Sequence, residues 1–164
     1  MEIPVHFRHI EVVCVDIRLH TTHCRFIAYY RSGGLGTEAL KYAIDSIECL
    51  KNICSTKHTL CLMGDFNLPD INWLQHSHPN GEIYTSFMNF FNDLGLHQFV
   101  QQPTRGSNIL DLIFSNDPGL LAKIDISFPI ATSDHNLITF EINDSILTFD
   151  EKKQHSFYCF KRAN

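Results

Sequence analysis

The chain is short of several features that would have placed it at once. No apolar run approaches the roughly 18 residues that a membrane span needs, and the N-terminus lacks the basic-then-apolar pattern of a secretory leader. Both absences lead us to expect an intracellular domain with no membrane partner. Basic charge is also scarce: 13 Lys and Arg face 18 Asp and Glu, a formal net charge of −5. That balance gives no long-range pull on nucleic-acid phosphate and argues against a simple basic footprint. A divalent metal in an acidic site, or basic surface on a neighbouring domain, would offset it. Lys152, Lys153, Lys161 and Arg162 begin such a surface near the C-terminus. There are six cysteines but no Cys-x-x-Cys, and Cys14, Cys24, Cys49, Cys54 and Cys61 fall within strand or helix patterns, so free buried thiols are expected. Ten histidines include none with paired zinc-ligand spacing among His58, His76, His78, His97 and His155.

What the chain does hold is enough apolar material, 44% of 164 residues, to bury one core. Strand and helix patterns alternate without internal repeats. Strands are expected near residues 10–17, 24–30, 59–63, 97–100, 108–114, 123–128 and 136–142, and an irregular segment covers 68–80. A helix is expected over 38–54, with Leu40, Ile44, Ile47 and Leu50 as its apolar stripe, Thr37 as N-cap and Glu38 in the first turn. A second, over about 83–92, carries Phe87, Met88 and Phe91 and ends at Gly95. This alternation suits an α/β layered sandwich.

Two polar clusters stand out against that background. In Cys61-Leu62-Met63-Gly64-Asp65-Phe66-Asn67, a buried strand ends at Gly64 and is followed by a carboxylate and an amide two residues apart. Were the backbone extended there, Asp65 and Asn67 would face one side while Phe66 anchored the other. A carboxylate activates water or holds a metal, and an amide grips an oxyanion, a pairing suited to phosphate esters. Taken alone, the fragment more often signals a capped turn whose polar groups bond nearby backbone. The second cluster, Ala131-Thr132-Ser133-Asp134-His135, opens the alternating strand Leu137-Ile138-Thr139-Phe140-Glu141-Ile142. Histidine is the natural proton carrier near neutrality, but adjacent side chains in a strand point apart, so His135 needs a carboxylate from elsewhere. Asp111, a lone charge within Ile109-Leu110-Asp111-Leu112-Ile113-Phe114, is the candidate, because a buried carboxylate needs a partner.

Four motifs occur in order: Tyr30-Arg31 after a strand, Gly64-Asp65-Phe66-Asn67, Pro103-Thr104-Arg105 followed by Leu110-Asp111-Leu112-Ile113, and Ser133-Asp134-His135. Together they resemble the endonuclease/exonuclease/phosphatase superfamily of DNase I-like enzymes, and within it the apurinic-type endonuclease domain of non-LTR (LINE-like) retrotransposons. The resemblance runs from about residue 11 to 142, and the tail 157–164 is similar to the linker that leads toward reverse transcriptase in such polyproteins. It implies a layered β-sandwich flanked by helices and a metal-dependent phosphodiesterase that nicks DNA, acting in the nucleus. The site it implies has Tyr30, Asp65, Asn67, Asp111 and His135 as catalytic residues and Asp134 as ligand to Mg²⁺ or Mn²⁺, with Thr104, Arg105 and Ser133 meeting substrate. Where the family often continues Tyr-Arg-Pro-Pro, this chain has Arg31-Ser32-Gly33-Gly34.

The same resemblance implies that residues 1–143 form a partial domain and that 144–164 form a linker toward a reverse transcriptase. Family members carry an Asn strand and a metal-binding Glu strand ahead of the Tyr-bearing one. Glu2 and Glu11 are the only acidic residues before Asp16, and neither takes the place of that Glu. The chain alone is therefore expected to be inactive. Two other readings remain open: a non-catalytic remnant or binding module of the same fold, and a superfamily member acting on RNA or inositol phosphates.

Overall fold

The computed structural model describes residues 3–20 and 22–144; Glu2 and the linker expected beyond Asp144, with its basic residues, lie outside them. After a short 3₁₀ turn at Val5–Phe7 come strands β1 (Glu11–Arg18) and β2 (His23–Tyr30), helix α1 (Thr37–Cys54), strand β3 (Thr59–Asp65), helix α2 (Glu82–Asp93), and strands β4 (His97–Gln98), β5 (Asp111–Ser115), β6 (Leu121–Ser127) and β7 (Leu137–Ile142). A five-stranded mixed sheet runs in the order β1-β2-β3-β5-β4, with β2 and β3 parallel and the other pairs antiparallel. β6 and β7 form a second, antiparallel sheet. The result is an α/β sandwich.

The central strand explains the layering. β3 is apolar on both sides, as a strand covered on both faces requires. Leu60 and Leu62 join Ile27, Tyr29, Leu112, Phe114 and the apolar sides of α1 and α2 in the larger core. Cys61 and Met63 join Cys24, Phe26, Ile113 and the inward residues Ile124, Ile126, Ile138 and Phe140 of β6 and β7 in the smaller one. That second layer stops short of β1, where Val13, Val15 and Ile17 stay exposed.

Several local expectations are corrected. α1 starts at Thr37, with Gly36 as its cap residue and no side-chain cap bond. Its buried arc is Ala43, Ser46, Ile47, Cys49, Leu50, Ile53 and Cys54, and Ile44 is exposed because it lies about a third of a turn off that arc's centre. Gly64 does not end β3 but sits inside it at φ +142°, where a Cβ would fall 1.8 Å from the Tyr29 carbonyl oxygen. Glycine alone fits so close an approach. At the end of α2, Gly95 (φ +60°) donates its N–H to Asn92 O and Leu96 donates to Phe91 O, the paired bonds of a Schellman stop.

One aromatic cluster ties the fold to the polar strand ends. Phe66, fully buried, sets its ring edge-on to Phe87, Phe91 and Phe114, and Phe91 stacks on Phe114 at 4.1 Å. The loop that leaves β3 is thus anchored by its middle residue.

Candidate active site

The sheet register gathers the first site residues. Tyr30 pairs with Asp65 across β2 and β3, and Asp65 pairs with Asp111 across β3 and β5. Laterally paired residues point to one face. By alternation this is the face covered by β6 and β7, since Met63 and Ile113 belong to that core. Tyr29 is correspondingly buried against the helices, while Tyr30 is 43% exposed. Glu11 extends the row beyond Tyr30, at the outer strand.

The loop between β6 and β7 delivers the histidine. His135 Nδ1 lies 2.8 Å from Asp111 Oδ2. An ionised carboxylate only accepts, so Nδ1 carries the proton and Nε2 is the atom left for chemistry. The loop is shaped by Ser133, whose Oγ accepts from His135 N at 3.1 Å, and by Ala131, held at φ +54°. A left-handed alanine is strained by about 1 kcal/mol or more, which marks a loop fixed by its surroundings. Ser133 thus bonds its own turn.

Asp65 is a half-buried carboxylate. Burial pushes its pKa above the ordinary value, the Asn67 N–H opposes that, and the neighbouring Asp111 charge adds to the rise. Asn67 is not extended but left-handed, at φ +47°. Its N–H donates to Asp65 Oδ1 at 3.0 Å, while Nδ2 donates to Asp65 Oδ2 at 2.9 Å and to Arg31 O at 2.7 Å. Both amide hydrogens are committed, so the side chain orients Asp65 and offers no further donor. The motif is therefore the expected capped turn, with the amide bonded to the carboxylate and not set beside it on an extended strand.

Three other expected residues are placed differently. Thr104 is fully buried, and its Oγ1 accepts from Leu110 N and Asp111 N, so it cannot meet a substrate. Arg105 sits on a two-residue hairpin turn with Gly106 at φ +57° and gives Nε and Nη2 to Asp134 Oδ2 at 2.8 and 2.6 Å. That bond holds the Asp134 carboxyl below its usual range. The guanidinium is engaged by a carboxylate rather than left for phosphate.

The donor set for a metal is accordingly not the expected one. Ligand atoms of Asp65, Asp111 and His135 lie within 4.8 Å of one another, and Asp134 is not in the group. Two carboxylates side by side in register, one with its pKa raised partly by the other, are a negative pair that a divalent cation relieves, and their oxygens suit a hard ion. The site fits such an ion.

Arg31, part of the Tyr30-Arg31 motif but given no role from it, is also a site residue, and a charge between a strand end and a glycine-rich loop is its signal. It is buried, and burial lowers its pKa. It donates to Asn67 O and Gly34 O, each at 2.8 Å, and more weakly to Phe66 O at 3.3 Å. Asn136 is a second such residue; its N–H and side-chain amide bond Thr104 O and Pro103 O.

The fold is a DNase I-like α/β sandwich with carboxylates and an Asp–His pair at its strand ends. The family model described as Endonuclease-reverse transcriptase matches residues 24–139, and the chain belongs to that family. Among solved structures, it resembles the endonuclease domain of TRAS1, a telomere-specific non-LTR retrotransposon, with a TM-score of 0.63 and 22% identity over 81% of this chain and 62% of that one. An endonuclease/exonuclease/phosphatase family protein from Leptotrichia buccalis follows at 0.56 and 19%, covering 80% and 53%. The 3′ phosphatase NExo from Neisseria, a variant bound to product DNA hairpin, gives 0.54 and 18%, covering 81% and 70%. At these identities the likeness is one of fold. The chain thus spans 62% and 53% of the first two structures' lengths. No curated protein matches it in sequence. No helix among the described residues is long and apolar enough to cross a membrane.

Proposed function

We propose that the chain is the DNA-nicking endonuclease portion of a non-LTR retrotransposon protein, a divalent-metal-dependent phosphodiesterase that works beside a reverse transcriptase in the nucleus. The observation that carries this reading is the 2.8 Å Asp111–His135 contact beside Asp65, assembled from three remote segments. Asp65, beside Asp111 in the sheet register, would align or deprotonate the attacking water. His135, held by Asp111 through Nδ1, would in its doubly protonated form donate Nε2–H to a phosphate oxygen as charge builds there. Tyr30, partly exposed at the end of the same row, supplies a hydroxyl donor. Asn67 keeps Asp65 aimed. A Mg²⁺ or Mn²⁺ ion held by Asp65 and Asp111 would supply charge neutralisation at the phosphate.

A second reading, a non-catalytic module of this fold, draws on two observations: Asp134 is occupied by Arg105, and the β1 side of the sheet carries exposed Val13, Val15 and Ile17. The two readings separate in a plasmid-nicking assay. The chain is tested alone and fused to the portion of the TRAS1 endonuclease domain that it does not match, in Mg²⁺, Mn²⁺ and EDTA. Metal-dependent nicking by the fusion, lost in His135→Ala, supports the enzyme. A folded fusion that binds DNA without cutting supports the module.

A further inference from the structure

Thr104 has no part in the chemistry above, yet it bonds the backbone of Asp111 and of Asn136, the residue after His135. A hydroxyl oxygen has two lone pairs, and here it accepts Leu110 N and Asp111 N, each at 3.0 Å. These bonds fix the start of β5, where Leu110 O also receives Phe66 N at 2.9 Å. The Thr104 carbonyl accepts Asn136 N at 2.7 Å, and the Asn136 side chain donates to Pro103 O at 3.1 Å. One buried residue thus holds the backbone of Asp111 and the residue next to His135. Asp111 and His135 are 24 positions apart, and the loop that carries His135 contains a left-handed alanine.

We propose that Thr104 is the positioning residue of the Asp111–His135 pair, the fixed point from which the strand of one and the loop of the other are both suspended. Its consequence for rate rests on the phosphodiesterase reading; the geometry does not. Threonine suits the place because the methyl fills a site closed to solvent while the oxygen serves two amides. Valine keeps the shape and orphans both N–H groups; serine keeps the acceptor and gives up only the methyl.

The test uses the full chain with ¹⁵N-labelled histidine, comparing wild type, Thr104→Val and Thr104→Ser. An imidazole N–H donated to a carboxylate resonates far downfield, and the expected His135 Nδ1–H signal is present in wild type and in Thr104→Ser. It is lost in Thr104→Val while the amide resonances of α1 and α2 stay in place. In whichever form of the protein nicks DNA, Thr104→Val is expected to lower kcat about 10- to 100-fold with KM within about twofold, and Thr104→Ser to restore most of the rate. A Thr104→Val protein that keeps the downfield signal overturns the proposal. So does a folded Thr104→Ser protein that loses it, which covers the case of a valine variant that does not fold. If no form nicks DNA, the phosphodiesterase reading falls and the imidazole signal still decides the role of Thr104.

Discussion

Arg31 and Asn67 are tied to each other in both directions: Arg31 Nη1 donates to the Asn67 carbonyl at 2.8 Å, and Asn67 Nδ2 donates to the Arg31 carbonyl at 2.7 Å. The closed loop holds a left-handed asparagine in place, and that asparagine orients Asp65. Arg31→Met leaves the carbonyls of Gly34 and Asn67 without this donor, and Arg31→Lys cannot span them, because only the guanidinium fork reaches several acceptors at once. Each variant is expected to lose about 2 to 3 kcal/mol, on the scale of about 1 kcal/mol per hydrogen bond. Urea denaturation of the folded chain measures it, and a loss under about 0.5 kcal/mol would show that the loop holds itself.

Phe66 fixes the same loop from below. Removing its buried ring, with Phe87, Phe91 and Phe114 around it, is expected to cost about 3 to 5 kcal/mol in Phe66→Ala. Gly64→Ala is expected to be equally damaging for a different reason, since its Cβ would meet backbone rather than a movable side chain. Near-native melting of either variant would contradict this packing.

Acid dependence follows from two carboxylates with opposite shifts. Asp16, hydrogen-bonded by Arg25, has its pKa lowered to about 2, so its contribution to stability is present above the ordinary value of 3.8 and is lost as pH falls toward 2. Asp65 is shifted upward, so the folded state holds its proton more tightly than the unfolded one. Its charge therefore costs stability once pH rises above 3.8. Asp65→Asn should relieve that cost, melting above wild type at neutral pH with the advantage vanishing near pH 3. A variant less stable than wild type at pH 7 would show that the Asn67 bonds outweigh the burial.

The same carboxylate is the handle for metal. Millimolar Mn²⁺ or Mg²⁺ is expected to raise the melting temperature of wild type by a few degrees at pH 7, reversibly with EDTA, through preferential binding to the folded state. Asp65→Asn and Asp111→Asn should each abolish most of the rise. A rise that survives both substitutions would place the ion elsewhere, with Asp134 the first residue to examine.

The parts of this fold that are legible in the sequence are those governed by local period. Alternation assigns one of Tyr29 and Tyr30 inward and the other outward, and the isolated charge of Asp111 in an apolar run predicts a partner, found at His135. What escapes depends on contacts made at a distance. Pro103-Thr104 has the composition of a surface turn, and only the return of β5 and of Asn136 buries Thr104. Asn67 is left-handed rather than extended because its turn is enforced by Arg31. The ion pair of Asp134 with Arg105 is likewise not legible, because the two residues are 29 positions apart. β4 reaches only Gln98, shorter than the expected strand over 97–100, since Phe99 and Val100 turn into the smaller core.

The central claim is that Asp111 and His135 act as one unit, and a double-mutant comparison tests it most directly. In the nicking-competent fusion, initial rates on supercoiled plasmid in Mg²⁺ are measured for wild type, Asp111→Asn, His135→Ala and the double variant. The account predicts a loss of roughly 10² to 10⁴ for His135→Ala. It also predicts that, at Mg²⁺ high enough to offset the weakened metal site, adding Asp111→Asn to His135→Ala costs little more, because the carboxylate then acts through the imidazole. Losses that multiply, or a His135→Ala protein that nicks at the wild-type rate, would contradict it.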